Sequence, residues 1–98
     1  MIDRASVLAV LSSQADDLRG RFAVRRLSIF GSVARAEAHD DSDVDLLVEF
    51  DHPVGLLTFA ALKQHLEGVF RCTVDLVEPA AVHPALRQRI MAEAVDAF

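Results

Sequence analysis

Cysteine is nearly missing from this 98-residue chain. Cys72 stands alone, so no internal disulfide is available, and no CxxC pair exists for redox or zinc chemistry. A reducing cytoplasm is the expected setting. Positive charge is scarce as well: ten Lys and Arg face fifteen Asp and Glu, giving a formal net charge of −5. Such a domain attracts DNA, RNA or an anionic membrane poorly, so neither a membrane nor direct nucleic-acid binding is expected. Nine of the ten basic residues are arginine. Long hydrophobic runs are missing too. The longest, over 54–62, is about half of what a membrane span needs. No apolar signal segment follows Met1-Ile2-Asp3-Arg4, and no internal repeat or low-complexity linker interrupts the chain. Secreted disulfide-stapled, membrane-spanning and collagen-like classes are thereby excluded.

What is present is a globular composition, 52% apolar and 26% charged. A chain of this length buries roughly 63–65% of its unfolded surface, enough for one modest core. A single domain over 1–98 is expected. Apolar spacings of three and four predict a helix over 6–21 through Val7, Leu8, Leu11, Ala15 and Leu18, with Asp3 or Ser6 as its cap and Gly20 weakening its end. A strand over 24–30 ends at Gly31-Ser32. A short helical turn over 32–37 follows, capped by Ser32, and then a polar loop over 38–42. A second strand covers 44–50. A helix over 56–67 carries Phe59, Leu62, Leu66 and Val69 on one face, with Gly68 near its end. A third strand covers 73–77. The last helix begins at Pro84 and buries Leu86, Ile90, Met91, Ala94, Val95 and Phe98. Three strands separated by helices make a small sheet with helices packed on it. Strand directions are not legible in the pattern.

The chemistry concentrates in one stretch. From Glu37 to Asp51 there are seven carboxylates and no Lys or Arg. A solvated acidic loop accounts for charge this dense, and so does neutralisation by a cation. Asp43 and Asp45 lie two apart at the mouth of the apolar segment Leu46-Leu47-Val48, and strand positions i and i+2 share a face. Two carboxylates so placed suit a hard divalent cation. An EF-hand fits the opening Asp41-Ser42-Asp43-Val44-Asp45 but fails later, where Leu46 replaces the required Gly and His52 the required Glu. Asp75 lies within Val74-Asp75-Leu76-Val77, a carboxylate among strand residues. Solvent exposure, a hydrogen bond to a neighbouring element or a place in a three-carboxylate metal site would each satisfy it. If its strand pairs beside the second, all three carboxylates share one face and suit one or two Mg²⁺, the arrangement used for in-line displacement at phosphorus. Gly31-Ser32 joins an apolar strand to a helical turn, where close backbone approach, a hydroxyl donor and Arg35 one turn on suit a phosphate. The same pair is also an ordinary turn. No Walker A loop and no GxGxxG are present.

Gly31-Ser32, ten intervening residues and Asp43-Val44-Asp45 together resemble the signature of the polymerase-β-like nucleotidyltransferase superfamily. Within it, Phe30-Gly31-Ser32-Val33-Ala34-Arg35 and Ser42-Asp43-Val44-Asp45-Leu46-Leu47-Val48 are similar to the minimal nucleotidyltransferase (MNT) group. Val74-Asp75-Leu76-Val77 sits where that group has its third carboxylate strand. The resemblance implies an α/β (α+β) fold, with a small three-stranded mixed sheet and flanking helices. It implies transfer of a nucleoside monophosphate, AMP from ATP or its equivalent from another NTP, onto an acceptor hydroxyl. By the same resemblance, Asp43 and Asp45 hold both Mg²⁺ ions, Asp75 joins the catalytic ion and helps deprotonate the acceptor, and Gly31, Ser32 and Arg35 meet the triphosphate. MNT proteins are often antitoxins whose partner is a HEPN-domain toxin, some adenylylating a tyrosine on it. A homo- or hetero-oligomer is therefore expected. A catalytically silent antitoxin that acts by occlusion and an aminoglycoside-type nucleotidyltransferase are the alternatives. Ala36 departs from the group, which commonly has Gly after the Arg; Ala disfavours a left-handed backbone, so a different turn is expected there.

Four histidines, His39, His52, His65 and His83, share no metal-ligand spacing. His52 and His83 precede prolines and suit turn or cap roles, and His65 falls on the polar side of its helix. Arg19, Arg21, Arg25 and Arg26 form the one basic cluster, read as a solvated helix end, with a contact to an acidic partner as the alternative. Arg87 and Arg89 lie early in the last helix, where the dipole does not favour them, which points one of them toward an anionic site.

Overall fold

A computed structural model describes residues 2–39 and 42–98. Asp40 and Asp41, two members of the acidic run, lie outside the described residues. The elements are α1 (Arg4–Ser13), α2 (Ala15–Phe22), β1 (Val24–Phe30), α3 (Gly31–Ala34), β2 (Val44–Phe50), α4 (Leu56–Phe70), β3 (Val74–Val77), a 3-10 turn (Pro79–Ala81), α5 (Pro84–Glu93) and β4 (Val95–Asp96). The sheet order is β3-β2-β1-β4, with β2 and β3 parallel and both β1 pairings antiparallel. The expected mixed sheet with flanking helices is present, with a fourth strand added.

Alternation divides the sheet into two chemically different faces. Val44, Leu46 and Val48 of β2, Leu27 and Ile29 of β1, and Val74 and Leu76 of β3 point into the main core. There they meet Val7, Leu11, Leu18, Leu62 and Leu66 of the helices. Fully burying each such side chain contributes about 1.5–3 kcal/mol. The intervening residues, Asp45 and Leu47 of β2 and Asp75 of β3, belong to the other face. Only a small second cluster covers part of it, made of Phe30, Leu47 and Ile90 from α5. A strand that buries one face this fully leaves its other face available for polar groups.

The structure corrects several local expectations. The first helix is two helices, broken at Gln14, although Val7, Leu11 and Leu18 are buried as the spacing requires. Asp3 is the cap of α1, accepting hydrogen bonds from the Ser6 N–H (2.9 Å) and hydroxyl (3.0 Å). Gly20 and Gly68 lie inside helices. The left-handed helix ends fall instead on Ala23 (φ 58°) and Arg71 (φ 55°). Ser32 does not cap the short turn, because α3 already begins at Gly31. His65 is half-buried rather than on a polar face: its Nε2 lies 3.0 Å from Gln14 Oε1 and its ring 5.5 Å from that of Phe22. Ala94, Val95 and Phe98 do not extend the last helix. The chain turns extended at Ala94, and its end pairs with β1, where the Ala97 N–H donates to the Leu27 carbonyl at 2.8 Å. The cap readings hold at α5, with Pro84 in its first turn and His83 Nδ1 accepting from the Ala85 N–H at 3.2 Å. No helix among the described residues is long and apolar enough to cross a membrane.

Candidate nucleotide and metal site

Register brings the predicted site residues together. Phe30 at the end of β1 is opposite Asp45 of β2, and Asp45 is in register with Asp75 of β3. Gly31 follows Phe30 directly, and Asp43 precedes Asp45 by two positions, so three carboxylates and the Gly-Ser turn converge on one corner of the sheet. Gly31 is required there on two counts. Its φ is +70°, and a Cβ at this position would collide with the Asp45 carboxylate. The tight turn is what allows Asp45 to sit against the backbone.

Asp45 is half-buried, whereas Asp43 and Asp75 are exposed. Burial pushes the Asp45 carboxyl up to about 6; the charges of Asp75 and Asp43 push the same way, and Arg35 acts against them. Its neighbours are thus mainly like charges, a situation that a divalent cation resolves. Among the described residues, no three His, Cys, Asp or Glu side chains are drawn together closely enough to hold a metal as they stand. The donor set nonetheless fits a hard cation in chemistry: three carboxylates on one sheet face, two of them on exposed side chains not locked by packing.

Arg35 ends α3 and is held by two acids. Its Nε donates to Glu37 at 3.0 Å and its Nη1 to both Glu93 oxygens at 3.2 and 3.3 Å. These contacts hold its guanidinium above the ordinary arginine range. The Ser32 hydroxyl makes no hydrogen bond among the described residues. Ala36 does not change the turn as expected: it takes the left-handed conformation itself, at φ 59°. The closing hydrogen bonds, Ala36 N–H to Val33 carbonyl (3.1 Å) and Glu37 N–H to Ser32 carbonyl (2.9 Å), hold it there.

Beside this corner lies a cavity of about 320 Å³, bordered by Gly31, Arg35, Asp75, Arg89 and Glu93 and walled by Phe30, Val77, Val82, Leu86 and Ile90. One apolar wall facing charged groups suits a ligand with a flat apolar part and an anionic part. The two arginines of α5 divide their roles. Arg87 is structural, donating to the carbonyls of Pro79 (2.7 Å) and Val82 (3.0 Å), while Arg89 borders the cavity. Of the basic cluster, Arg19 pairs with Asp16, Arg21 with Asp17, Arg25 with Glu49, and Arg26 with Glu49 and Asp96, as a solvated surface requires.

Residues 11–97 match the nucleotidyltransferase domain family. The chain belongs to that family. It is a nucleotidyltransferase by descent. It is 36% identical over 95 residues to the protein adenylyltransferase MntA of Thermococcus cleftensis, covering 97% of this chain and 96% of that protein. It is 46% identical over 76 residues to a candidate protein adenylyltransferase of Methanocaldococcus jannaschii, covering 78% of this chain and 82% of the other. Among solved structures, a candidate minimal nucleotidyltransferase superposes with a TM-score of 0.80 at 40% identity, covering 95% and 94% of the two chains. A toxin–antitoxin complex with AMP-PNP shares the fold at 21% identity, with a TM-score of 0.74 over 89% of this chain and 72% of that one. So does a complex of a tri-AMPylated Shewanella oneidensis HEPN toxin with its MNT antitoxin, at 17% identity, with a TM-score of 0.66 over 93% and 71% of the chains.

Glu93 and the apolar wall were not foreseen from the sequence. The signal for Glu93 was present: a carboxylate at the carboxyl end of a helix opposes the helix dipole and needs a partner elsewhere.

Proposed function

We propose that this nucleotidyltransferase is a Mg²⁺-dependent protein adenylyltransferase that moves AMP from ATP onto a tyrosine hydroxyl of a HEPN-type toxin and so acts as its antitoxin. The observation that carries the reading is the register of Gly31, Asp45 and Asp75 beside a cavity with one apolar wall. The resemblance to a protein adenylyltransferase across nearly the whole of both chains supports a protein acceptor over an aminoglycoside. A lone cysteine, Cys72, suits a reducing cytoplasm.

Asp43, Asp45 and Asp75 would hold two Mg²⁺ ions, which when bound orient the phosphates and offset the charge that develops at the α-phosphorus. The Ser32 hydroxyl and the Arg35 guanidinium bind the triphosphate oxygens, and the apolar wall receives the base. In the transfer, the acceptor oxygen forms a bond to the α-phosphorus. The bond from that phosphorus to the bridging oxygen breaks, and pyrophosphate leaves. The hydroxyl proton passes to the Asp75 carboxylate, which is exposed on the cavity side and able to meet a bulky acceptor.

The test is Asp75→Asn, which keeps the shape and removes the charge. The protein, the product of a neighbouring HEPN reading frame, labelled ATP and Mg²⁺ are combined, and both chains are weighed by mass spectrometry. The wild type is expected to add AMP to the partner. The variant should bind the partner and lose transfer by more than the roughly 10–100-fold of an outer-shell change. A folded Asp75→Asn protein that protects cells fully with no transfer would establish occlusion instead.

A further inference from the structure

The carboxylate of Glu93 joins the two ends of α3. Its Oε1 accepts the Gly31 N–H at 3.0 Å, and both oxygens accept from Arg35 Nη1. Gly31 is buried, so its N–H would otherwise lose a partner that buried amides require. Gly31 itself takes a left-handed conformation, φ +70°, directly against the Asp45 carboxylate, so its amide is fixed in a crowded corner. Glu93 gains nothing from its own helix, because it is the last residue of α5, where the dipole opposes a negative charge.

The anchor is itself fixed. Ala94 turns the chain, Val95 pairs with Ile29, and Asp96 accepts hydrogen bonds from Arg26 (2.7 Å) and Ser28. Glu93 and Glu37 together engage Nε and Nη1 of Arg35, leaving its Nη2 donors uncommitted among the described residues. Held at both Nε and Nη1, the planar guanidinium cannot swing, so its Nη2 donors point in a constant direction.

We infer that Glu93 is the positioning residue of the phosphate-handling turn, clipping Gly31 to Arg35 so that both meet the nucleotide in a fixed arrangement. The inference deepens the functional reading above and takes its ligand from it, but the clip itself is measurable without nucleotide. The variants are Glu93→Ala and Glu93→Gln, the latter keeping an oxygen acceptor. In Glu93→Ala, amide hydrogen exchange at Gly31 should accelerate by about tenfold or more while Leu27 and Val48 exchange as before. Calorimetry should show the affinity for MgATP falling roughly 10–100-fold. Glu93→Gln should restore slow exchange at Gly31 and most of the affinity. Unchanged Gly31 exchange in Glu93→Ala would overturn the clip. Equal or tighter MgATP binding by that variant would overturn the positioning role, tighter binding showing that the carboxylate competes with phosphate. A wild-type protein that takes up no MgATP would sink the adenylyltransferase reading, and the Gly31 exchange would then decide the clip alone.

Discussion

Asp45 and Asp96 flank the same strand two positions apart, Asp45 opposite Phe30 and Asp96 opposite Ser28, yet their surroundings are opposite in sign. Asp96 accepts hydrogen bonds from Arg26 and Ser28, which hold its carboxyl below the usual carboxylate range. Asp45 is pressed against a glycine, with Asp75 and Asp43 as neighbours, and is pushed up to about 6. One carboxylate completes the fold. The other is surrounded mainly by like charges, only partly offset by Arg35, as the proposed role of a metal ligand requires.

The largest expected effect comes from removing the uncompensated charge. Asp43→Asn with Asp45→Asn should abolish the gain in melting temperature from MgATP. For the wild type at a hundred times its Kd, that gain corresponds to about 2.7 kcal/mol. The same change should remove a pH slope in the unliganded protein. Unfolded, the Asp45 carboxyl ionises near 3.8; folded, it keeps its proton to about 6. The unfolded state thus loses its proton first, and the wild type should become less stable as pH rises from about 4 to about 6 through this group. Melting curves across that range, with and without MgATP, compare the two proteins.

Removing the compensated carboxylate should have a smaller effect of the opposite kind. Asp96→Ala leaves the Ser28 hydroxyl, 3% exposed, without its acceptor and should cost about 1–3 kcal/mol in urea denaturation at pH 7. Because the folded-state carboxyl lies below the ordinary 3.8, this contribution is present above that value and is lost as pH falls through the folded one. The difference between variant and wild type should shrink in acid, where the Asp45 effect has already vanished.

The smallest change leaves both carboxylates alone. Ala36→Gly relieves a left-handed residue in the site turn and should stabilise the protein by about 0.5–1 kcal/mol, equally at every pH, by the same denaturation assay. A pH-dependent gain would show that the turn reports on the carboxylates.

The candidate site was legible in the sequence because its parts are local. Gly31-Ser32 and Asp43-Val44-Asp45 each sit at the end of an apolar strand, and alternation alone aligns Asp43 with Asp45. The strands over 24–30 and 44–50 were readable for the same reason. The break at Gln14 and the left-handed ends at Ala23 and Arg71 were hidden, because no glycine or proline marks them. The fourth strand was hidden because Ile90, Ala94, Val95 and Phe98 keep a helical spacing up to the residue where hydrogen bonds to Leu27 draw the chain extended.

By itself the sequence determined the composition of the candidate site: which carboxylates, which glycine, and which side of each strand they occupy, since side-chain period and backbone freedom are properties of adjacent residues. Only the tertiary structure decided that Asp75 lies in register with Asp45, that Glu93 reaches back across the chain to Gly31 and Arg35, and that Arg89 rather than Arg87 borders the cavity. Those are pairings between residues distant along the chain. They are set by strand order and by how α5 packs over Phe30 and Leu47, and no local pattern encodes them.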